Sequence, residues 1–360
     1  MIRSTMMAIV LTVLVIAGAP PLVHAQGAFT QTGNLITPRS LHSAILLSNG
    51  EVLVAGGKST TGSALSSAEL YNPATGKWSA TGSMMTPRYS HSATLLLNGE
   101  VLVAGGILSL DESTGLYVCT ATAELYNPST GKWTATGSLP ETRCAHSAAL
   151  LESGSVLSAG GGQANYPDTA AFLYSPASGT WASTGSTIDP TLSSGVAVLQ
   201  SGEVLLVGAA ANLTNSAELY LNGHWTLTGN MEFTHSLAIT LANGNVLAYG
   251  GRLASYVAEI YITAAGSWKT TKNFGVSPPA GTLTLLQSGD VLEAAGANEY
   301  SLTASSSLYN PATNAWTRGP NLINARKFHS ATLLSNGQVL VVGGANNTSV
   351  AIASTELYAP

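Results

Sequence analysis

The sequence predicts an all-β protein, a closed seven-bladed β-propeller, and three observations carry that prediction. First, one pattern recurs along the chain: Arg, then His three residues later, an apolar run, a glycine turn, a second apolar run and Gly-Gly. Its best copies are Arg39–Gly57, Arg88–Gly106 and Arg326–Gly344. Second, the turn glycine occurs seven times, at Gly50, Gly99, Gly154, Gly202, Gly244, Gly289 and Gly337, in steps of 49, 55, 48, 42, 45 and 48 residues. Third, all six tryptophans occupy one position of the repeat, at Trp78, Trp133, Trp181, Trp225, Trp268 and Trp316. A unit of this length, repeated this often and built from short β-type runs, suits four-stranded blades arranged around an axis.

The elements follow in order within each unit. The two apolar runs flanking Asn-Gly read as the first two strands, joined by a two-residue hairpin whose Asn and Gly both take positive φ. A variable stretch follows Gly-Gly. Glu-Leu-Tyr then marks the third strand, with tyrosines at Tyr71, Tyr126, Tyr174, Tyr220, Tyr261, Tyr309 and Tyr358. An Asn-Pro-Ala-Thr-Gly turn leads to the fourth strand and its Trp. The last unit stops at Tyr358-Ala359-Pro360, before a fourth strand, whereas Phe29–Arg39 matches Trp78–Arg88 residue for residue in its spacing. The N-terminal strand is therefore expected to complete the C-terminal blade, with Phe29 in the Trp place, and to remove two sheet edges.

The Gly-Gly after the second strand, the Tyr and the Trp seven residues later resemble the kelch repeat across residues 26–360. The resemblance implies a propeller like the central domain of galactose oxidase. That family places a copper-ligating His where the innermost strand opens and has a Tyr directly before it. Here the preceding residues are Leu41, Ser90, Ala145 and Phe328, and Cys144 stands two before His146 rather than at the ring position. No further domain is expected after Pro360 to complete a copper site. The expectation is no cofactor.

Met1–Ala25 reads as a signal peptide: Arg3, the apolar stretch Met6–Ala19, and Val23-His24-Ala25 before the cleavage point. That run is short of the ~20 residues of a spanning helix. A secreted or periplasmic protein is expected, with no membrane association after cleavage. Charged residues are 9% of the chain and the formal net charge is −5, against ~25% charged in ordinary domains. Nothing basic clusters to follow a phosphate backbone, so nucleic acid is excluded as a partner. A monomer is expected.

Lengths vary mainly between the turn glycine and the Tyr, running 21, 27, 20, 18, 17, 20 and 21 residues. That places the variation in the loop between second and third strands, on the same face as the crossovers between blades. Function on rigid scaffolds concentrates in such loops. The longest is Ile107–Thr122, which carries Tyr117.

Five of the seven histidines fall at one repeat position: His42, His91, His146, His235 and His329. Arg39, Arg88, Arg143 and Arg326 precede four of them by three residues. These Arg–His pairs form one arc, expected at the channel mouth. They read as scaffold, each Arg pairing with a repeat acid such as Glu69, Glu124, Glu218, Glu259 or Glu356, or as a surface that receives an acidic ligand. Cys119 and Cys144 lie on one face in adjacent blades, and in an oxidising compartment a disulfide is expected. Glu293 interrupts an apolar strand. The function expected is a non-catalytic module that binds a protein or a glycan; the alternative is an enzyme with a galactose-oxidase-like or sugar-modifying site at the mouth.

Overall fold

The computed structural model describes residues 27–163, 166–210, 215–250, 258–272, 281–297 and 302–360. The signal-peptide expectation lies outside these residues. The described residues form seven four-stranded antiparallel blades. The first strands, Ser43–Leu46 in blade 1, Ser92–Leu95 in blade 2, and their counterparts, neighbour one another around the axis until blade 7 meets blade 1. In blade 1 the strands follow as Val52–Ala55, Ala68–Asn72 and Lys77–Thr81. Second strands such as Val52–Ala55 and Val101–Ala104 are buried at every residue, because neighbouring blades cover both faces.

Ring closure follows the expected register. Ala28–Gln31 pairs with Thr355–Ala359, Phe29 opposite Tyr358, and their rings are 5.1 Å apart, as are those of Tyr71 and Trp78. The aromatic pairs also join blades. Trp78 Nε1 donates to the Gly33 carbonyl (2.8 Å), and the Tyr71 hydroxyl shares a hydrogen bond with Thr32 (2.8 Å); Trp133 and Tyr126 repeat both contacts with Gly82 and Thr81.

Two expectations are corrected. The hairpin connecting the first two strands is not a two-residue turn. In blade 1 the Leu47 N–H donates to Glu51 O (2.8 Å) and the Gly50 N–H to Leu47 O (2.9 Å), so Ser48, Asn49 and Gly50 form a three-residue loop. Only the glycine has positive φ, +85°, as in a type I turn closed by a left-handed residue. Asn49 instead accepts the Glu51 N–H at its side chain (3.0 Å). Blades 3 and 4 are also not separate sheets: Thr180–Val198 runs continuously from one to the other, pairing with both Tyr166–Ser175 and Val204–Ala210.

Candidate functional site

The four arginines lie inside the blades, not on the mouth. Arg39, Arg88 and Arg326 are fully buried and Arg143 is 1% exposed. In blade 1, Arg39 Nη1 donates to the Gly56 and Ser67 carbonyls (2.7 and 2.8 Å) and Nη2 to Glu69 (2.7 Å). Glu69 accepts the backbone N–H groups of Ile36 (2.7 Å) and Thr37 (3.0 Å). A third-strand carboxylate thus captures the incoming crossover, and an arginine from that crossover ties down the turn after the second strand. Arg88 with Glu124 and Arg326 with Glu356 repeat the clamp. Burial pulls these guanidinium pKa values below their ordinary value, and the partner carboxylate opposes it. Such groups cannot receive an external anion directly.

His42, His91, His146 and His329 do border the channel. Each Nε2 meets a hydroxyl on the preceding blade: Ser330, Ser43, Ser92 and Thr282, at 2.9, 3.0, 2.8 and 3.2 Å. Their Nδ1 atoms are buried without a hydrogen-bond partner. Burial, reinforced by the nearby arginines, lowers the pKa of His91, His146 and His329 to about 3, which keeps these rings neutral. Just before each His, Leu41, Ser90, Ala145 and Phe328 take left-handed φ of 50–57°. The Leu41 N–H donates to Phe328 O, Ser90 to Leu41 and Ala145 to Ser90, linking the blades along the rim.

His235 is not a fifth ring histidine. Its crossover is shortened, and register places Ser236 at the ring position, before Leu237. His235 fills the arginine site instead: Nδ1 contacts the Gly250 carbonyl (3.0 Å) and Nε2 the Glu259 carboxylate (2.8 Å). In blade 6, Gly281 stands at the ring position, and the buried Glu293 carboxylate packs where a Cβ there would project.

Blade 3 breaks the clamp. Phe172 occupies the place of the third-strand glutamate, opposite Ser158, and the Arg143 guanidinium lies 4.9 Å from its ring centroid. Arg143 keeps the carbonyls of Gly160 and Ala170 (2.6 and 2.8 Å) but takes its counter-charges from the rim, Glu141 and Asp168. These carboxylates are 27% and 31% exposed. Partial burial opposes ionisation of Asp168, yet its pKa is lowered because the Ala170 N–H, the Glu141 carboxyl group and Arg143 favour the anion. Sequence reasoning passed over this cluster, although Phe two residues before Tyr174, where five of the six other units carry Glu, was visible.

Beside it stands a hairpin, Ile107–Asp111 paired with Leu116–Cys119, that only blade 2 carries among the described residues. Cys119 and Cys144 are joined as a disulfide, with Cα atoms 5.6 Å apart. Tyr89, Ile107 and Cys144 pack beneath the hairpin. Leu110, Tyr117 and Val118 are exposed on it, and its second strand lies against Gly162–Gln163 of blade 3, next to exposed Tyr166. Arg39, Arg88 and Arg326 are therefore not brought together with Tyr117, whereas Arg143 reaches the edge of this cluster.

The opposite face holds two shallow clefts of about 390 and 310 Å³, between blades 1 and 2 and between blades 7 and 1. Their polar groups are largely spent on one another: Asn98 Nδ2 and Asn127 Nδ2 both donate to Glu100, at 2.9 and 3.5 Å.

A family model of the kelch motif matches residues 39–85. No curated protein sequence matches the chain. Among solved structures, a fungal alcohol oxidase of the AA5 family in complex with copper is similar with a TM-score of 0.73 and 16% identity, covering 94% of this chain and 76% of that one. YjhT is similar with a TM-score of 0.58 and 14% identity, covering 89% of this chain and 95% of the other.

The copper that accompanies the fungal oxidase does not fit the residues of this mouth. Cys144 Sγ is committed to Cys119, and the ring histidines direct Nε2 at hydroxyl groups. Among the described residues, no three His, Cys, Asp or Glu side chains converge closely enough to hold a metal ion. The fold is what these likenesses establish: the described residues form a seven-bladed β-propeller, and residues 39–85 match the kelch motif.

Proposed function

We propose that the protein is a secreted, non-catalytic recognition module that binds a glycan or a protein surface through its variable-loop face. The observation that carries this reading is the disulfide-pinned hairpin of blade 2. A rigid hairpin presenting Leu110, Tyr117 and Val118 to solvent serves no packing need of the propeller. Pinning lowers the ordering cost of binding. Secretion is supported by the leader-like Met1–Ala25 and by a disulfide suited to an oxidising compartment.

The test is binding of the labelled mature protein to arrays of glycans and of extracellular proteins. The variant Leu110→Ser/Tyr117→Ser/Val118→Ser is compared with Leu97→Ser on the opposite face. Ligand lost by the hairpin variant and kept by Leu97→Ser supports the reading. Equal loss in Leu97→Ser would move the binding face. Peroxide release from alcohols in proportion to loaded copper would replace the module with an oxidase.

A further inference from the structure

We infer that Glu141, Asp168 and Arg143, with Gln163 and Tyr166 beside them, form a subsite for a neutral sugar bearing a vicinal diol. The inference rests on the recognition reading above and gives it a place and a ligand chemistry.

Blade 3 departs from the repeat. In blades 1, 2 and 7 the arginine meets a buried glutamate, and Nε donates to a carbonyl two residues back, at 3.3 Å from Arg39 to Thr37 and from Arg326 to Asn324. With Phe172 in the glutamate place, blade 3 turns this charge pair outward, to carboxylates that solvent reaches. Blades 5 and 6 depart as well, but there His235 with Glu259, and Glu293, stay buried. In blade 3 the departure brings charge to solvent, and a local rule broken in this way marks a site where something other than folding is being served.

The second observation is Arg143 itself. The residue is 1% exposed, yet its Nε has no hydrogen-bond partner. A guanidinium is planar, and Nε–H shares one edge with Nη2. Nη2 contacts Glu141 and Asp168 (3.6 Å to the latter), so the spare donor belongs to the nitrogen next to the one that meets the two carboxylates. A donor left unmatched in a dry setting is costly.

A sugar diol satisfies this set. One hydroxyl donates to Glu141 and its neighbour to Asp168, the carboxylates that solvent reaches, while Arg143 behind them holds both in place. Gln163, whose Nε2 reaches Glu141 at 3.4 Å, adds an amide on the same rim. Tyr166 is 67% exposed and stands two residues from Asp168 along one strand, hence on the same face. Its ring offers the flat apolar surface on which the C–H face of a pyranose packs. The cluster carries two acids against one base, which disfavours acidic sugars and phosphates. The guanidinium between the carboxylates occupies the place a metal cation would need.

The experiment uses the mature full chain and saturation-transfer NMR with methyl α-mannopyranoside, methyl β-galactopyranoside and methyl β-glucuronide. Transfer to a neutral glycoside and none to the glucuronide is expected. Glu141→Gln/Asp168→Asn should weaken binding on the order of tenfold or more and, by leaving Arg143 without a counter-charge, lower the melting temperature. Tyr166→Ala, at an exposed position, should weaken binding while the melting temperature holds. Phe172→Glu should return Arg143 to an interior partner and abolish binding without loss of stability. If that variant fails to fold, Tyr166→Ala, at an exposed position, must still weaken binding.

No transfer to either neutral glycoside, preference for the glucuronide, or undiminished binding by the double variant would overturn the assignment. Should the blade 3 variants bind an array ligand like wild type while the hairpin variant loses it, the subsite falls and the recognition reading stands. If both sets bind like wild type, both fall.

Discussion

Replacing Arg88 by Met removes a charge from a site closed to solvent and leaves its hydrogen-bond partners to be accounted for. The Gly105 and Thr122 carbonyls and the Thr122 hydroxyl lose donors at 2.7, 2.8 and 2.9 Å, and the Glu124 carboxylate loses its counter-charge, at 2.8 Å. Met approximates the volume, so the cavity contribution is small. Glu124 keeps the N–H groups of Met85 and Thr86, which softens but does not cancel the loss. Breaking a buried ion pair from one side costs about 3–5 kcal/mol, and two stranded carbonyls at ~1–3 kcal/mol each are consistent with that figure. Arg143→Met is the internal comparison. Its carboxylates are partly exposed and water can take over their solvation, so roughly half the cost is expected. Urea unfolding followed by tryptophan fluorescence reads both. A loss under about 1 kcal/mol for Arg88→Met, or equal losses for the two, would refute the clamp argument.

Deleting Gly27–Asn34 should strip the outer strand from blade 7, together with the Gly33 carbonyl that Trp78 uses, and give aggregation or a sharply lower melting temperature; an equally stable monomer would contradict ring closure. Cys119→Ala/Cys144→Ala should leave the propeller folded while hydrogen exchange accelerates across 107–119, and the closed 25-residue span predicts about 3.5 kcal/mol of lost stability on the chain-entropy account. Non-reducing peptide mapping of wild type should return the Cys119–Cys144 peptide. The ring histidines predict acid sensitivity: their folded pKa of about 3 lies below the ~6.5 of an unfolded chain. The unfolded state therefore binds more protons between these values, and stability is complete above pH ~6.5 and falls as pH drops towards 3. His146→Gln should flatten the slope between pH 4 and 6 by up to about 1.4 kcal/mol per pH unit; an unchanged slope would mean that this ring is not held neutral.

The blade count, the closing strand and the cysteine pair were legible because each rests on spacing. Seven glycines, the Phe29-for-Trp match and two cysteines in adjacent units are all properties of a linear text. The hairpin type was not, because Asn-Gly suits both a two-residue turn and the last two places of a three-residue one. Copies with Ser before the glycine, at Ser153, Ser201 and Ser288, favoured the latter. His235 was misplaced because two missing residues in its crossover let a histidine slide from the ring register into the arginine pocket. The rim cluster of blade 3 was hidden for a different reason. Its carboxylates come from outside the repeat frame, Glu141 in a crossover and Asp168 in a variable stretch, and only the guanidinium of Arg143 gathers them. Likewise, the position of an arginine in sequence did not reveal whether it faces a channel or a neighbouring strand.

Pairing of Ala28 with Ala359 places the two ends of the propeller side by side on the outer edge of one blade. The ring therefore has a seam rather than a beginning. A short linker across that seam, with the chain reopened at the Ser335–Gly337 turn, would preserve every blade and every clamp while cutting the chain between the first two strands of blade 7. Partners fused at either end would leave from the same rim, far from the axis, so the propeller could be carried on a tether or joined to another module without its loop face being turned away.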